Sequence, residues 1–179
     1  MPLTDWKIAM GESSQGATQE RASAGSYSYK MWGTDSGPSA VILKQSEADA
    51  PTEAKVTTQV FRDSTSQKVQ CFFRYTDPDN YLTIVLDGSQ SEIDLVDKDQ
   101  GAVQIRDTKS LNVQQNQGQF DEFEFYLWED SGTVYARVLR NGTQMVTDLS
   151  SSNIDNISGG VGVGSNGGTN YFDETEIFY

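Results

Sequence analysis

The chain has 179 residues and carries 26 acidic against 13 basic side chains, which gives a formal net charge of −13 without any histidine. A chain of this length fits one domain with one core. Its charge argues against nucleic acid and membrane surfaces as partners, because both attract clustered Lys and Arg. The lack of histidine excludes Ser-His and Cys-His nucleophile systems and histidine-based metal sites.

Alternation of apolar and polar residues recurs along the whole chain, and no stretch shows the 3.6-residue period of a helix. In the run over residues 68–75, Val69, Cys71, Phe73 and Tyr75 fall on one face. The single cysteine is therefore expected to be a buried small hydrophobe, and no intrachain disulfide can form. The predicted strands cover residues 25–32, 41–44, 55–61, 68–75, 81–87, 92–96, 102–106, 119–128, 133–140, 144–147, 159–164 and 170–179.

Turn-forming residues separate these runs. In the segment 77–80 a proline presets φ and the Asx side chains can cap neighbouring amides, which predicts a turn. Asn141 and Gly142 favour a type I′ hairpin, because that turn needs positive φ at both central positions. The glycine-rich run over 159–164 predicts a strand whose close neighbour leaves no room for side chains. The sequence therefore predicts an all-β antiparallel sandwich, with residues 1–179 forming a single domain.

Five segments of strand-forming and turn-forming residues follow one another along the chain, at residues 24–28, 73–81, 140–142, 160–163 and 172–174. Taken in order, these segments resemble the laminin-G-like jelly rolls of the concanavalin A-like lectin and glucanase superfamily. The resemblance covers nearly the whole chain. It implies two stacked antiparallel sheets, one concave and one convex, with ligands bound on the concave face or at the loop rims.

The same resemblance implies a structural calcium ion in some relatives, held between an early loop and the last strand. The matching positions here are Glu12 and Asp173, whose oxygen atoms suit a hard cation. The alternative is that Asp173 caps a turn. Calcium is therefore a possible structural cofactor.

Sugar binding in water rests on aromatic faces that stack on apolar sugar faces, with neighbouring polar side chains that bond the hydroxyls. The alternative for each aromatic residue is packing in the core. The candidate ligand-binding residues are Trp32, Arg74, Tyr75, Asp77, Asn80, Tyr81, Trp128, Asn170 and Tyr171.

One strand resembles the catalytic strand of the retaining glucanases that share this fold. It contains Glu92, Asp94 and Asp97, and retaining hydrolysis needs two carboxyl groups about 5 Å apart. The resemblance is incomplete, because Asp97 stands where those enzymes carry a glutamate and the glycine and tryptophan residues that usually precede the strand are missing. A retaining glucanase using Glu92 and Asp97 is thus an alternative, and the preferred hypothesis has no catalytic residues.

The acid-rich composition, with little Lys, resembles that of proteins from extreme halophiles. Residues 1–6 show no signal-peptide pattern and no run of 18 apolar residues occurs, so neither a signal peptide nor a transmembrane segment is expected. The preferred hypothesis is a non-enzymatic lectin-like module on the surface of a halophilic virus, as a turret, spike, fibre or decoration protein. It would form a homo-oligomer, contact other virion proteins and bind a glycan or host-surface glycoprotein. A carbohydrate-binding module of a secreted, extracellular or cell-surface protein is the alternative.

Overall fold

The structure, a computed structural model, describes residues 6–10, 15–22, 28–32, 39–43, 53–64, 66–111 and 117–178. All regular elements in these ranges are β-strands, and the described part of the chain contains no helix long and apolar enough to cross a membrane. The strands of the first half are Trp6–Met10 (β1), Gln15–Thr18 (β2), Ser28–Trp32 (β3), Ser39–Leu43 (β4), Ala54–Arg62 (β5), Lys68–Asp77 (β6) and Asn80–Asp87 (β7). Those of the second half are Glu92–Asp99 (β8), Ala102–Ser110 (β9), Phe120–Asp130 (β10), Thr133–Arg140 (β11), Thr143–Gln144 (β12), Leu149–Ser151 (β13), Gly160–Asn166 (β14) and Thr169–Phe178 (β15).

These strands form two antiparallel sheets. The first sheet has the order β1-β4-β14-β6-β7-β8-β9, and the second has the order β12-β11-β10-β5-β15-β3-β2, with β13 paired to β11. The chain changes sheet after β1, β3, β4, β5, β9, β13 and β14. This arrangement confirms the predicted all-β antiparallel sandwich.

The core lies between the two sheets and is built from the inward-facing residues of both. Phe73 and Leu82 from the first sheet and Phe123 and Phe125 from the second are all at most 1% exposed. The predicted burial of Cys71 is confirmed, and burial raises the pKa of its thiol well above the ordinary value. The domain is therefore stabilised by packing of apolar side chains from two sheets.

The hairpin predicted at Asn141 and Gly142 is present, with φ of 50° and 74° at these residues. The strand predicted after it is shorter than expected. Pairing ends at Gln144, because Met145 and Val146 are both buried and the chain leaves the sheet edge to fill the core. The predicted strand positions 25–27, 44 and 179 lie outside the described residues.

The two sheets differ in how their strands are buried. In β10 and β11 buried and half-buried residues alternate, so these strands have one face in the core and one toward solvent. In β6, β7 and β8 burial is continuous over residues 69–75, 81–87 and 93–97, including residues that point away from the core. These three strands are therefore buried on both faces.

Candidate functional site

The register of the first sheet places a set of side chains on its outer face, opposite the core. Their neighbours along each strand, such as Phe73, Leu82 and Ile93, belong to the core, so the intervening residues point outward. We call this set the first-sheet face. It consists of Gln70, Phe72, Tyr75, Tyr81, Thr83, Val85, Asp87, Glu92, Asp94 and Val96.

Glycines border the first-sheet face on one side. Gly162 and Gly164 of β14 lie opposite Phe72 and Gln70, and Gly160 lies opposite Tyr75. A glycine in a strand leaves space where a side chain would otherwise stand. At these positions β14 therefore has no side chains beside the larger side chains of β6.

Aromatic rings form one end of the first-sheet face. The Phe72 and Tyr81 ring centroids are 5.1 Å apart in an edge arrangement, and Tyr75 stacks on Tyr81 at 6.3 Å with an interplanar angle of 15°. The Lys98 ammonium lies 5.6 Å from the centroid of the Tyr81 ring. Burial, together with the nearby Asp77 carboxylate, raises the pKa of Tyr75 to about 12, so its phenol is protonated at neutral pH.

Carboxylates form the other end of the first-sheet face. Asp87 is 1% exposed and forms an ion pair with Lys68, with 2.5 Å between Nζ and Oδ2. Asp94 is 6% exposed, and its Oδ1 accepts a hydrogen bond of 2.6 Å from the Thr108 hydroxyl. Burial raises the pKa of Asp94 and of Glu92, and neighbouring carboxylates raise both further.

Gln70 places a buried amide oxygen in the middle of this face. It lies opposite Val85, which in turn lies opposite Asp94. Its side-chain Oε1 is buried and has no hydrogen-bond partner among the described residues. Buried acceptors in native proteins are almost always bonded, so an unbonded one calls for an explanation.

The structure brings four of the predicted ligand-binding residues to one place. Tyr75 and Tyr81 stack on the first-sheet face, and Asp77 and Asn80 close the adjoining turn. Within that turn the Asn80 side-chain amide donates to both oxygens of the Asp77 carboxylate, at 2.9 and 3.0 Å. Ligand binding by these four residues remains a prediction, with its geometry now defined.

Arg74 is directed away from this place. Its φ of 51° lies at an irregularity in β6, which turns the residue toward the sandwich interior while Tyr75 points outward. There its guanidinium donates to the Asn156 carbonyl at 3.1 Å and to Glu129 at 2.9 Å, and it is 1% exposed. The prediction that Tyr75 shares a face with Cys71 and Phe73 is therefore wrong. The sequence could not reveal this reversal, because simple alternation places Arg74 beside Phe72. The adjoining Gly159 is required here, since a Cβ on it would lie 2.2 Å from the Arg74 carbonyl carbon.

The remaining predicted ligand residues lie elsewhere. Trp128 and Tyr171 are on the outer face of the second sheet, the former stacked on Tyr135. Asn170 is fully buried between the sheets, where its amide donates to Ser165 and to the Lys68 carbonyl. Trp32 belongs to β3, but its side chain lies outside the described part of the structure. The nine residues therefore do not form one patch.

The carboxyl pair of the glucanase alternative is not formed. Glu92 lies on the first-sheet face, whereas Asp97 lies opposite the core residue Leu82 and points into the interior. Asp97 accepts hydrogen bonds from Arg106, from the Asn156 amide and from the Asp155 N–H. Five residues of extended strand also separate the two carboxylates by roughly 16 Å along the backbone, far more than retaining hydrolysis allows.

The residues proposed for calcium are only partly described. Glu12 lies outside the described residues, and the Asp173 carboxylate accepts the N–H of Glu174 at 2.9 Å, which is the turn-capping alternative. Among the described ranges no cluster of three or more acidic, cysteine or histidine side chains could hold a metal ion. Calcium binding stays a prediction.

Sequence reasoning missed Gln70, Phe72, Thr83 and Asp87 as members of a site. A signal was present, because residues 69–75 and 81–86 are nearly continuous in apolar and aromatic residues. Such runs are typical of strands buried on both faces. A polar residue within such a run is expected to be buried, and a buried polar residue is a candidate member of a binding site.

Comparison with solved structures supports the fold. The carbohydrate-binding module CBM66 from Bacillus subtilis matches with a TM-score of 0.69 at 10% identity, covering 98% of this chain and 96% of that one. The galectin LEC-6 from Caenorhabditis elegans matches with a TM-score of 0.52 at 13% identity, covering 84% and 96%.

A GH43 protein from Bacillus licheniformis also matches, with a TM-score of 0.61 at 15% identity, covering 97% of this chain and 36% of that one. No protein-family model and no curated protein match the chain. The chain therefore has the galectin-like, concanavalin A-like β-sandwich fold that its strand order indicates.

Proposed function

We propose that this chain is a non-enzymatic glycan-binding module and that the first-sheet face holds the sugar. The observation that carries the proposal is the buried, unpartnered Gln70 Oε1 beside an aromatic cluster. Ligand sites in proteins combine a mostly apolar and aromatic lining with a few polar groups. Structures of the same fold include a carbohydrate-binding module and a galectin.

Each group of the first-sheet face has a role in this proposal. Tyr75 and Tyr81, which are 6% and 7% exposed, supply the aromatic contacts for the apolar face of a sugar ring. Gln70, through Oε1, and Asp94, through its carboxylate, accept hydrogen bonds from sugar hydroxyls. Gly162 and Gly164 keep the neighbouring strand free of side chains, so that a ring can approach the backbone.

The test is binding to a glycan microarray, followed by calorimetry on the glycans that bind. Tyr81→Ala is expected to weaken binding about fivefold, since a stacked aromatic contributes about 1 kcal/mol. The matched control is Tyr126→Ala, which removes a half-buried tyrosine from the outer face of the second sheet and should leave affinity unchanged. Thermal unfolding verifies that both variants are folded.

Gln70→Leu gives a sharper test, because binding and stability should move in opposite directions. Leucine has a similar size and removes an unpaired buried acceptor, so the fold should gain stability while sugar affinity falls. If no glycan binds to the unmodified protein, or if Tyr126→Ala abolishes binding while Tyr81→Ala does not, the proposal is wrong.

We also propose a place on the exterior of a virion from a salt-loving host as the setting of this module. The support is compositional: a net charge of −13 produces self-repulsion that high salt would screen. Homo-oligomers are expected in molar salt and should dissociate on dilution of the salt. Size-exclusion chromatography at two salt concentrations measures this, and a monomer under both conditions contradicts it.

A further inference from the structure

We propose that the ligand of the first-sheet face is a glycan with a free amino group, and that the face rejects uronic-acid and sulfated glycans. The inference rests on the proposed function and adds the charge of the ligand. It concerns the end of the face formed by Asp87, Glu92 and Asp94 of β7 and β8.

Carboxylates outnumber cations at this end. Glu92 lies directly opposite Asp87, and Asp94 follows two residues later on the same face of β8. Neighbouring strands are about 4.8 Å apart, so the three carboxylates share a small area. Among the described residues the cation paired there is Lys68, which bonds Asp87. Glu92 and Asp94 therefore have no ion-pair partner of their own among the described residues.

Hydrogen-bond acceptors also outnumber donors in the neighbouring row. Gln70 Oε1 has no hydrogen-bond partner among the described residues, and the Asp94 carboxylate receives one bond, from Thr108. These two acceptors flank Val85, at a Cα separation of roughly 10 Å across two strand spacings. Gln70, Val85 and Asp94 are only 5–6% exposed, so a ligand that reaches both acceptors would have to enter this buried layer and would need donors at both ends.

An ammonium group satisfies both conditions. It has three donors and no acceptor, and its charge compensates the carboxylates, whereas a hydroxyl group leaves the charge excess in place. The raised pKa values of Glu92 and Asp94 reflect the same excess, because burial and neighbouring carboxylates disfavour their ionised forms. A carboxylate or sulfate on the sugar would add a further like charge in a partly desolvated place.

The experiment uses a microarray on which glucose- and galactose-based backbones are each printed in neutral, 2-amino and uronic-acid forms. On a given backbone the amino form should bind about tenfold more tightly than the neutral form, corresponding to one charge-assisted hydrogen bond. The uronic-acid form should give no signal above background. Calorimetry on the best backbone then quantifies the ratio between amino and neutral forms.

Two variants assign the preference to this end of the face. Asp94→Asn should lower the ratio between amino and neutral forms severalfold, and Glu92→Gln, at a half-buried position, provides a second readout if the first variant is unstable. Asp130→Asn removes the same charge at an exposed site in the second sheet and should leave the ratio unchanged.

The outcomes separate the two proposals. Equal binding of amino and neutral forms, or tighter binding of the uronic-acid form, overturns the charge preference and leaves the glycan-binding proposal intact. A ratio that Asp130→Asn lowers as much as Asp94→Asn also overturns it, because long-range charge would then explain the effect. Absence of binding to every form overturns both proposals.

Discussion

The outer faces of the two sheets contain similar residue types but differ in how deeply these residues are buried and in what they contact. On the second sheet the rings of Trp128 and Tyr126 are half-buried and have cations beside them, Arg137 at 5.2 Å and Lys55 at 5.1 Å. The Phe61 and Tyr171 rings of the same face are 8% and 4% exposed and contact each other. On the first sheet the rings contact one another and are nearly fully buried, together with carboxylates and an unpartnered amide oxygen.

This difference shows why aromatic content alone does not locate a binding site in a β-sandwich. Charged groups of the second face pair with one another at the surface, as in the ion pairs of Lys55 with Glu124 and Arg137 with Asp148. Ion pairs of this kind contribute little and leave no unmet bonding capacity. Thr57 Oγ1 is the exception on this face, because it is buried and has no hydrogen-bond partner among the described residues. The first-sheet face has buried polar groups that are incompletely satisfied, which is the state that a ligand can improve.

The largest expected effect is a loss of stability that tests whether β6, β7 and β8 are buried on both faces. Phe72→Ala should lower the free energy of unfolding by about 3–5 kcal/mol, as for a core phenylalanine, because Phe72 has no exposed surface despite pointing away from the core. The matched change Tyr126→Ala on the second sheet should cost about 1 kcal/mol. Denaturant unfolding measures both, and similar small losses would show that the first-sheet face does not pack as a second core.

Replacement of the buried Asp97 carboxylate should have the next largest effect. Burial by itself raises the pKa of Asp97, but bonds from the Asp155 N–H, Asn156 and Arg106 outweigh burial and leave the pKa below its ordinary value of 3.8. Asp97→Asn should therefore cost about 2 kcal/mol at neutral pH.

The cost of Asp97→Asn should depend on pH with a defined sign. A lowered native pKa means that the ionised carboxylate stabilises the fold fully above pH 3.8, and that this contribution is lost as the pH falls through the native value. The difference between the variant and the unmodified protein should thus shrink below that pH. A difference that grows in acid would contradict the assignment.

A smaller effect, of opposite sign, is expected at Gln70. Gln70→Leu should raise the free energy of unfolding by about 1 kcal/mol, because it removes an unbonded buried acceptor. Gln59→Leu, on the outer face of the second sheet where the amide donates to Glu122, should not stabilise the protein. Thermal and denaturant unfolding provide the comparison, and destabilisation by Gln70→Leu would show that the amide is bonded in solution.

The smallest effect should come from the surface charges of the second sheet. Asp148→Asn breaks the partly exposed pair with Arg137 and should cost about 0.5 kcal/mol or less. That cost should disappear in molar salt, because the pair is accessible to screening. A loss that persists at high salt would mean that the second-sheet face is less solvated than its alternating burial indicates.

Much of the fold was predictable because strand alternation and turn residues are local properties. Residues 133–140 form β11 as predicted, and the turn at Asn141 and Gly142 follows from the positive φ that these residues tolerate. The short strands β1, β2 and β13 were missed, since runs of three to five residues carry little periodic signal.

The site was less predictable because it depends on which face each residue occupies. A left-handed φ at Arg74 reverses the alternation of β6 and sends the arginine inward and Tyr75 outward. No local pattern indicates that reversal, which requires the contacts to Asn156 and Glu129 on distant strands and loops. Similarly, Glu92 and Asp97 look like partners in sequence but lie on opposite faces.

The measurement that tests the central claim most directly is an NMR titration of the isotopically labelled protein with a glycan that the microarray selects. The side-chain amide signals of Gln70 and the backbone signals of residues 81–85 should shift as glycan is added, while those of residues 124–137 remain in place. Shifts confined to residues 124–137, or a Gln70 side chain that does not respond to saturating glycan, would contradict the assignment of the first-sheet face as the binding surface.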